Sequence, residues 1–365
     1  MNRVTISVQP RPYDALIVRG LLGRTGVCLR DAFPESKRCY VVSVAPVRKR
    51  WGKQLLRSLS AAGWQAALVE MPNGERHKRL STVELLAEKL VRLGADRGAV
   101  LVAFGGGVVG DVAGFVASVY MRGVEVVQIP TTVQAQLDAA IGGKTGVNLR
   151  SGKNLVGTFH QPRVVLIDPD LLATLPDREL RSGLYEALKC GVIGSSELFT
   201  RFERGSASAR GRDPGEIEYL ITESVKLKGS VVAADEREGG LRRVLNFGHT
   251  IGHALEAATS YRRFLHGEAV AWGMIAAANI AEKMQVCDHQ TAQRIEQATL
   301  DQGPLPPVTV SPSSIVRLLK ADKKTKDGVV HFVLPREIGK VEVVKNVPSK
   351  LVLEAVNAIR HMRGN

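Results

Sequence analysis

The stretch AVLVAFGGGVVGD, residues 99–111, joins a continuous apolar run to a glycine-rich turn. An unbroken apolar run such as Ala99–Phe104 is typical of a strand buried on both faces of a parallel sheet. The glycines that follow allow the backbone to approach a ligand closely, and a helix that begins there offers free N–H groups to a pyrophosphate. The next strand pattern ends in QIPTT, without the acidic residue of a standard Rossmann fingerprint. The stretch therefore predicts nucleotide binding in a non-standard arrangement, and a tight turn that merely needs glycines is the alternative.

Strand and helix patterns alternate around this stretch through residues 1–165. The strands are expected at Cys39–Val44, Gln65–Met71, Ala99–Phe104 and Val124–Pro130, and the helices at Val47–Ala62, Ser81–Leu93 and Val112–Met121. Strands that alternate with helices predict βαβ units and a parallel sheet.

The pattern becomes mainly helical after about residue 168. Helices are expected at Pro176–Ile193, Pro214–Val232, Phe247–Ala258 and Ala269–Met284, and a strand pattern returns near Val329–Leu334. We therefore predict an α/β N-terminal nucleotide-binding domain with a parallel-rich sheet, residues 1–168. A mainly α-helical C-terminal domain, residues 169–365, is expected to follow it.

Composition excludes several classes of protein. Of the 365 residues, 44% are hydrophobic, which excludes general disorder, and the apolar runs are too short to span a membrane. The net charge of +14 favours an anionic ligand, but only 5% of residues are aromatic, which is poor material for stacking on nucleic acid bases. We expect a small anionic molecule rather than nucleic acid. The four cysteines have no zinc-site spacing and no secretory signal is evident, which predicts a cytoplasmic protein.

A polar stripe in the second half is a candidate metal site. His249 and His253 are four residues apart and share a face if they lie on one helix, and Arg242 and Asn246 continue the stripe backwards. His266 follows, and imidazoles suit Zn²⁺ or Co²⁺. Capping or solvated histidines are the alternative at this stage.

A carboxylate for such a site is available from the helix predicted around residue 186. Glu186 and Lys189 are three residues apart in an otherwise apolar pattern. A plain surface ion pair is the alternative.

Cations beside glycines form a third group. Arg122, Lys144 and Lys153 lie within 35 residues of one another, each next to a glycine, and Lys226, Lys228, Arg242 and Lys324 follow later. Such cations suit phosphate and carboxylate binding. Each one taken alone would be interpreted as a solvated surface charge.

Taken together, these residues resemble a known family. The segments Pro130–Thr132, Gly142–Asn148, Gly152–Asn154 and Leu245–Thr250 are similar to motifs of the 3-dehydroquinate synthase family and its sugar-phosphate cyclase relatives, and the resemblance covers about residues 10–350. It implies a lyase of the shikimate pathway, hence of chorismate and aromatic amino acid biosynthesis, that uses NAD⁺ and one Zn²⁺ or Co²⁺ and forms a homodimer. The implied reaction converts 3-deoxy-D-arabino-heptulosonate 7-phosphate to 3-dehydroquinate and phosphate. Its steps are transient oxidation at C5, β-elimination of phosphate, re-reduction, ring opening and intramolecular aldol closure.

The resemblance also implies roles for individual residues. The implied metal ligands are Glu186, His249 and His266. The implied catalytic residues are His253, Lys144, Lys189, Asn246 and Arg242. The implied NAD⁺ contacts are Asn73, Gly74, Glu75, Lys78, Gly106, Gly107, Val108, Val109, Gly110, Asp111, Thr131, Thr132, Lys144, Lys153, Leu171 and Thr174. The implied contacts to the sugar phosphate are Arg122, Asp138, Lys144, Asn154, Lys189, Lys228, Arg242, Asn246, His253 and Lys324.

Other functions remain open at this stage. A valiolone- or inosose-forming cyclase shares the scaffold but differs in its contacts to the substrate carboxylate, and Arg242 with Asn246 favours a substrate that has one. A metal-dependent polyol dehydrogenase needs no phosphate-binding cations, and a non-catalytic basic protein leaves the histidines unexplained. The chain departs from many relatives at Ser43, where an aspartate is common, and at Ala139 and Ala140, where serines are common.

Overall fold

A computed structural model describes residues 2–210, 212–323 and 330–362, which form two compact units. The first runs to Leu175 and includes Lys228–Ala233, and the second comprises Pro176–Leu227 and the residues from Ala234 onward. The predicted domain boundary between residues 168 and 169 stays a prediction. Among the described residues, no helix has the length and apolar character needed to cross a membrane.

The first unit is built on a seven-stranded sheet. Its elements are β1 (Asn2–Ile6), β2 (Tyr13–Ile17), α1 (Thr25–Ala32), β3 (Arg38–Val44), α2 (Ala45–Ala61), β4 (Gln65–Met71), α3 (Leu80–Arg92), β5 (Val100–Gly105), α4 (Gly107–Val119), β6 (Glu125–Pro130), β7 (Lys144–Leu149), β8 (Gly152–Phe159) and β9 (Val164–Ile167). The strand order is β1-β2-β9-β6-β5-β3-β4, and β7 and β8 form a separate antiparallel hairpin. Only β1 and β2 pair antiparallel in the large sheet, so its remaining strands are parallel.

Apolar side chains cover both faces of this sheet. Along β3, Tyr40 and Val42 belong to one buried cluster, whereas Cys39 and Val41 belong to the other. Because successive strand residues point to opposite faces, a strand buried on both sides needs a continuous apolar sequence. The chain passes from β3 to β4 in one direction and from β5 to β6 in the other. The carboxyl ends of β3 and β5 therefore mark the position where parallel sheets usually bind ligands.

The second unit is mainly helical. Its elements are α5 (Asp177–Gly194), α6 (Ser196–Arg210), α7 (Pro214–Ala234), α8 (His249–Ala258), α9 (His266–Lys283), α10 (His289–Leu300), α11 (Pro312–Lys323), β10 (His331–Glu337), β11 (Lys340–Lys345) and α12 (Ser349–His361). Helix α9 is buried along almost its whole length, with Trp272 fully enclosed. An apolar sequence on all sides of a helix is typical of such a central position.

The predicted fold class is confirmed: a parallel-rich α/β unit precedes a mainly helical part. The bounds of β4 agree with the predicted strand, whereas α4 begins at Gly107 instead of Val112 and α9 begins at His266 instead of Ala269. The glycines of the turn lower helix propensity, so the pattern placed the helix start too late. The short strands β1, β2, β7, β8 and β9 were not predicted, since four to eight residues give a weak periodic signal.

Candidate active site

The glycine-rich turn joins β5 directly to the first turn of α4. Gly106 precedes the helix, and the N–H groups of Val109 and Gly110 donate to its carbonyl. A Cβ on Gly105 would lie 2.5 Å from the side chain of Val109, so only glycine allows this close return of the chain. The helix thereby begins at the carboxyl edge of the sheet, where the N–H groups of its first turn favour an anion. The structure confirms the strand–turn–helix context that the sequence predicted.

A polar network lies beside this turn. Lys78 donates to Asp111 of α4 and to the side chain of Asn154 in the β7–β8 hairpin. Asn148 donates to Glu75 at 2.7 Å, and its own side-chain oxygen accepts the backbone N–H of Asn154 at 2.9 Å. Burial raises the pKa of Asp111, while the Lys78 ammonium opposes that rise. The network therefore brings Asn154, predicted to bind substrate, into contact with residues predicted to bind the cofactor.

Further predicted residues of the first unit lie in loops and short turns. Lys228 donates to the Asp138 carboxylate at 2.8 Å and to its backbone carbonyl at 2.6 Å, which brings together two residues 90 positions apart. Arg122 has a φ of 68° and precedes Gly123 with a φ of 120°, so the backbone there takes a sharp turn. Leu171 and Thr174 lie in a 3₁₀ helix after β9. The other predicted residues of this unit are Asn73 and Gly74 after β4, Thr131 and Thr132 after β6, and Lys144 and Lys153 in the hairpin.

Three helices of the second unit converge on one carboxylate. Glu186 lies on α5, and its Oε1 is 3.7 Å from Nε2 of His249 and 3.4 Å from Nε2 of His266. These two histidines are the first residues of α8 and α9. His253, one turn along α8, has its ring centroid 5.2 Å from that of His249 and 5.7 Å from that of His266. The structure thus brings all three predicted metal ligands together, with His253 beside them.

The predicted alternative of a surface ion pair between Glu186 and Lys189 is wrong. The Glu186 side chain is completely buried and Lys189 is 2% exposed, and their charged atoms lie 2.5 Å apart. Neither carboxylate oxygen of Glu186 accepts a well-formed hydrogen bond. Burying a carboxylate in this way is costly unless cations or a metal compensate its charge.

Charge within the cluster is distributed unevenly. Burial opposes ionisation of Glu186, but Lys189, His249 and His266 hold its pKa well below the usual range. Burial and the Lys189 charge lower the pKa of His249 to about 3. Burial also acts to lower the pKa of His266, but its close contacts with the Glu186 and Glu256 carboxylates raise it to about 10. The two histidines therefore differ: their surroundings oppose protonation of His249 and favour protonation of His266.

The donor set fits a divalent metal ion. Four ligands at about 2.1 Å in a tetrahedron lie roughly 3.4 Å from one another, close to the separations between Glu186 and the two histidine Nε2 atoms. The three histidines alone also form a possible metal group, with ligand atoms within 4.8 Å of one another. Glu186 Oε1 lies closer than that limit to Nε2 of His249 and of His266, and its negative charge would offset part of the charge of a divalent ion.

Close helix contacts hold the cluster together. A Cβ on Gly267 would lie 1.8 Å from the backbone oxygen of Ser182, so α9 approaches α5 at this point as only glycine permits. The Gly267 N–H donates to the Ser182 hydroxyl at 3.1 Å. Glu268 accepts the Leu265 N–H at 2.8 Å and two bonds from Arg178 of α5 at 2.6 and 2.8 Å. These contacts fix His266 opposite Glu186.

The predicted continuous stripe from Arg242 to His253 is wrong as a helix face. Arg242 and Asn246 lie in a 3₁₀ segment, Leu241–Asn246, and Gly248 with a φ of 77° separates it from α8. Arg242 is 2% exposed and donates to the Glu236 carbonyl, while Asn246 donates to Glu238 at 3.0 Å. The chain turns here because Phe247 is extended, with a ψ of 128°, and Gly248 is left-handed, which interrupts the helical pattern. Lys324 lies outside the described residues.

Sequence reasoning missed the residues that position the cluster. Glu256 is buried beside His266, and Gly267, Ser182, Arg178 and Glu268 hold the start of α9. The segment SYRRFLHGE has a glutamate two residues after His266, and this pattern of a helix-capping carboxylate was the available signal. The role of Glu256 becomes apparent only when α8 and α9 are packed together.

Comparison with known proteins assigns the family. The 3-dehydroquinate synthase N-terminal model matches residues 68–182, and the 3-dehydroquinate synthase C-terminal model matches residues 183–325. The 3-dehydroquinate synthase of Koribacter versatilis (strain Ellin345) is 55% identical over 362 residues, which are 99% of each chain. The chain belongs to the 3-dehydroquinate synthase family. The resemblance inferred from the sequence is thereby confirmed.

Solved structures of related cyclases have the same fold. The 2-epi-5-epi-valiolone synthase of Streptomyces hygroscopicus subsp. jinggangensis 5008, with NAD⁺ and Zn²⁺ bound, is 32% identical with a TM-score of 0.87, over 96% of this chain and 98% of that one. A 2-deoxy-scyllo-inosose synthase complexed with carbaglucose-6-phosphate, NAD⁺ and Co²⁺ is 28% identical with a TM-score of 0.86, over 98% and 99%. Both identities are well below that to the Koribacter 3-dehydroquinate synthase.

Proposed function

We propose that this protein is a 3-dehydroquinate synthase that converts 3-deoxy-D-arabino-heptulosonate 7-phosphate to 3-dehydroquinate and inorganic phosphate. The observation that carries the proposal is the cluster of Glu186, His249 and His266 in a chain that belongs to this family throughout its length. A buried carboxylate and two imidazoles on three converging helices are ligand types that Zn²⁺ or Co²⁺ takes, and the lysines and arginines of the chain would provide charge for an anionic substrate.

Glu186, His249 and His266 would hold one Zn²⁺ or Co²⁺. A metal ion in such a site acts as a Lewis acid toward a substrate hydroxyl. Lys189 forms a buried ion pair with Glu186 at 2.5 Å, which places its amino group beside the proposed metal site. His253 is exposed and adjacent to the cluster, so its imidazole can give a proton to a substrate oxygen or accept one.

NAD⁺ would lie along the carboxyl ends of β3 and β5. The backbone from Gly106 to Gly110 would cradle its pyrophosphate, and Glu75, Lys78 and Asp111 lie beside that turn. The cofactor supplies reversible hydride transfer, while the chain positions and charges the reacting groups. The remaining proposed contacts are Asn73, Gly74, Thr131, Thr132, Lys144, Lys153, Leu171 and Thr174.

A substrate with both a carboxylate and a phosphate explains the distribution of cations. Arg242 and Asn246 are proposed to bind the carboxylate, since a guanidinium can grip it with two parallel hydrogen bonds. The other proposed substrate contacts are Arg122, Asp138, Lys144, Asn154, Lys189, Lys228, His253 and Lys324. A valiolone- or inosose-forming cyclase is the second candidate, because two of the similar solved structures are a 2-epi-5-epi-valiolone synthase and a 2-deoxy-scyllo-inosose synthase.

We also propose that the protein is a cytoplasmic homodimer. All four cysteines are free thiols, as expected in a reducing compartment.

On the first unit, Val119, Met121, Leu155 and Phe159 are between 41% and 59% exposed. The Thr158 hydroxyl donates to Ser118 at 2.7 Å, which brings β8 next to the end of α4. These exposed apolar side chains are candidates for a surface that a second copy of the chain would cover. Light scattering on wild type and on Phe159→Asp tests it: a dimer that the variant disrupts is expected, and a monomeric wild type contradicts it.

The function is tested with purified full-length protein, the heptulosonate phosphate and a catalytic amount of NAD⁺. We expect phosphate release and 3-dehydroquinate formation in equal amounts, with many turnovers per NAD⁺. NADH that accumulates in step with product would instead identify a plain dehydrogenase.

A matched pair of variants tests the carboxylate. Arg242→Ala should harm turnover of the heptulosonate phosphate about ten- to a hundredfold more than turnover of a sugar phosphate without the acid. Arg243, at the next position, contacts His331 instead. Arg243→Ala should therefore leave the ratio of the two turnover rates unchanged. Equal losses on both substrates in Arg242→Ala would favour the other cyclases.

A further inference from the structure

The two histidines of the metal cluster differ in what lies behind them. Nδ1 of His249 is 3.0 Å from the backbone carbonyl of Phe247. Nδ1 of His266 is 3.3 Å from Oε2 of Glu256, a residue of α8 that is 3% exposed. An Nδ1–H that donates to an acceptor leaves Nε2 with its lone pair free for a ligand. Both Nε2 atoms do face Glu186.

Glu256 is not explained by the proposed catalytic steps. Its carboxylate is buried on α8, and the contact that joins it to His266 links the start of α9 to the last turn of α8. A buried carboxylate is costly, so its presence next to a metal-ligand histidine calls for a reason. At His249 the backbone carbonyl of Phe247 is already the partner of Nδ1. Among the described residues, the partner of His266 Nδ1 is the Glu256 carboxylate and not a backbone carbonyl.

We propose that Glu256 is the positioning residue of the metal centre, acting through His266. It accepts the Nδ1–H, fixes the ring so that Nε2 points toward Glu186, and increases the donor strength of that nitrogen. The inference rests on the proposed metal site. Loss of such an outer carboxylate typically weakens metal binding about ten- to a hundredfold.

The chain offers a matched control. His289 Nδ1 lies 2.8 Å from Oε1 of Glu282, in a carboxylate–histidine pair whose histidine side chain is 76% exposed. Glu282→Leu removes the same type of contact away from the cluster. Glu256→Leu removes the acceptor, and Glu256→Gln keeps an acceptor oxygen without the charge.

The test is the affinity of the full-length protein for Co²⁺, measured by the absorption of the bound ion in competition with a chelator. The melting temperature of each metal-free protein is recorded in parallel. We expect Glu256→Leu to bind Co²⁺ about ten- to a hundredfold more weakly than wild type. Glu256→Gln should recover a large part of that loss, and Glu282→Leu should equal wild type.

The possible failures can be told apart. A Glu256→Leu variant that melts earlier but binds Co²⁺ as wild type does would show a purely structural role and overturn the proposal. Equal weakening in Glu256→Leu and Glu282→Leu would overturn it as well. If wild type binds no Co²⁺, or His249→Ala binds it unchanged, the metal site itself is wrong and the role of Glu256 falls with it.

Discussion

The proposed dinucleotide region and the proposed metal centre are built by different means. The first is largely backbone: a glycine-rich turn between β5 and α4 presents N–H groups at a fixed edge of the sheet. The second is made of side chains from α5, α8 and α9, which are separated by up to 80 positions, Glu186 to His266. A backbone site depends on local sequence, whereas a side-chain cluster depends on how helices pack. Mutations are therefore expected to act locally in the first region and through helix packing in the second.

The largest effect is expected where α5 and α9 touch. In Gly267→Ala the new methyl group would meet the Ser182 backbone oxygen at 1.8 Å, so α9 must shift and move His266. We expect the free energy of unfolding to fall by about 1–3 kcal/mol, together with loss of bound metal. Denaturant unfolding and metal analysis measure both.

Gly205→Ala on α6 is the control, because the nearest atom to its Cβ is 3.8 Å away. It should leave stability unchanged or raise it by up to about 1 kcal/mol. If Gly267→Ala behaved like this control, the close contact would not hold the cluster in place.

A smaller effect is expected in the dinucleotide region. Lys78→Met removes a buried cation that donates to Asp111 and Asn154. Asp111 then loses its ion pair, and the Asn154 side-chain oxygen loses a hydrogen bond. We expect the KM for NAD⁺ to rise about tenfold or more while bound metal stays at the wild-type level. Lys89→Met, which loses only a bond to the Glu70 carbonyl, is the control. A metal loss in Lys78→Met would contradict the separation of the two regions.

The smallest effect concerns the turn that carries Arg242. Hydrogen bonds from the backbone N–H groups of Arg242, Gly240 and Gly239 lower the pKa of Asp235 to about 2. Because its folded-state pKa is lowered, ionised Asp235 stabilises the fold above pH 3.8, the ordinary pKa, and this stabilisation is lost as the pH falls toward 2. NMR titration of Asp235 should show the low pKa, and Asp235→Asn should raise the substrate KM a fewfold. An ordinary pKa would show that this carboxylate does not order the turn.

Much of the first region was predictable because its signals are local. The strand Ala99–Phe104 and the glycines after it give the turn directly, and β4 has the bounds that its pattern predicts. The metal cluster was predictable only in part: the residues themselves indicated one helix face for His249 and His253 and made His266 and Glu186 candidates, and the family resemblance assigned the ligand set. The break at Gly248, the contact of Gly267 with Ser182 and the buried Glu256 were not predicted. They arise from the packing of helices far apart in sequence, which no local pattern contains.

The most direct test of the account is to determine which residues bind the metal. Glu186 and His253 both lie next to His249 and His266, so either could complete the ligand set. Metal content per chain should be measured for purified wild type, Glu186→Gln and His253→Ala after equilibration with the same low concentration of Zn²⁺. We expect about one ion per chain in wild type and in His253→Ala, and far less than one in Glu186→Gln, because the amide lacks the charge of the buried carboxylate. Full occupancy in Glu186→Gln together with loss in His253→Ala would contradict the account and assign the metal to the three histidines.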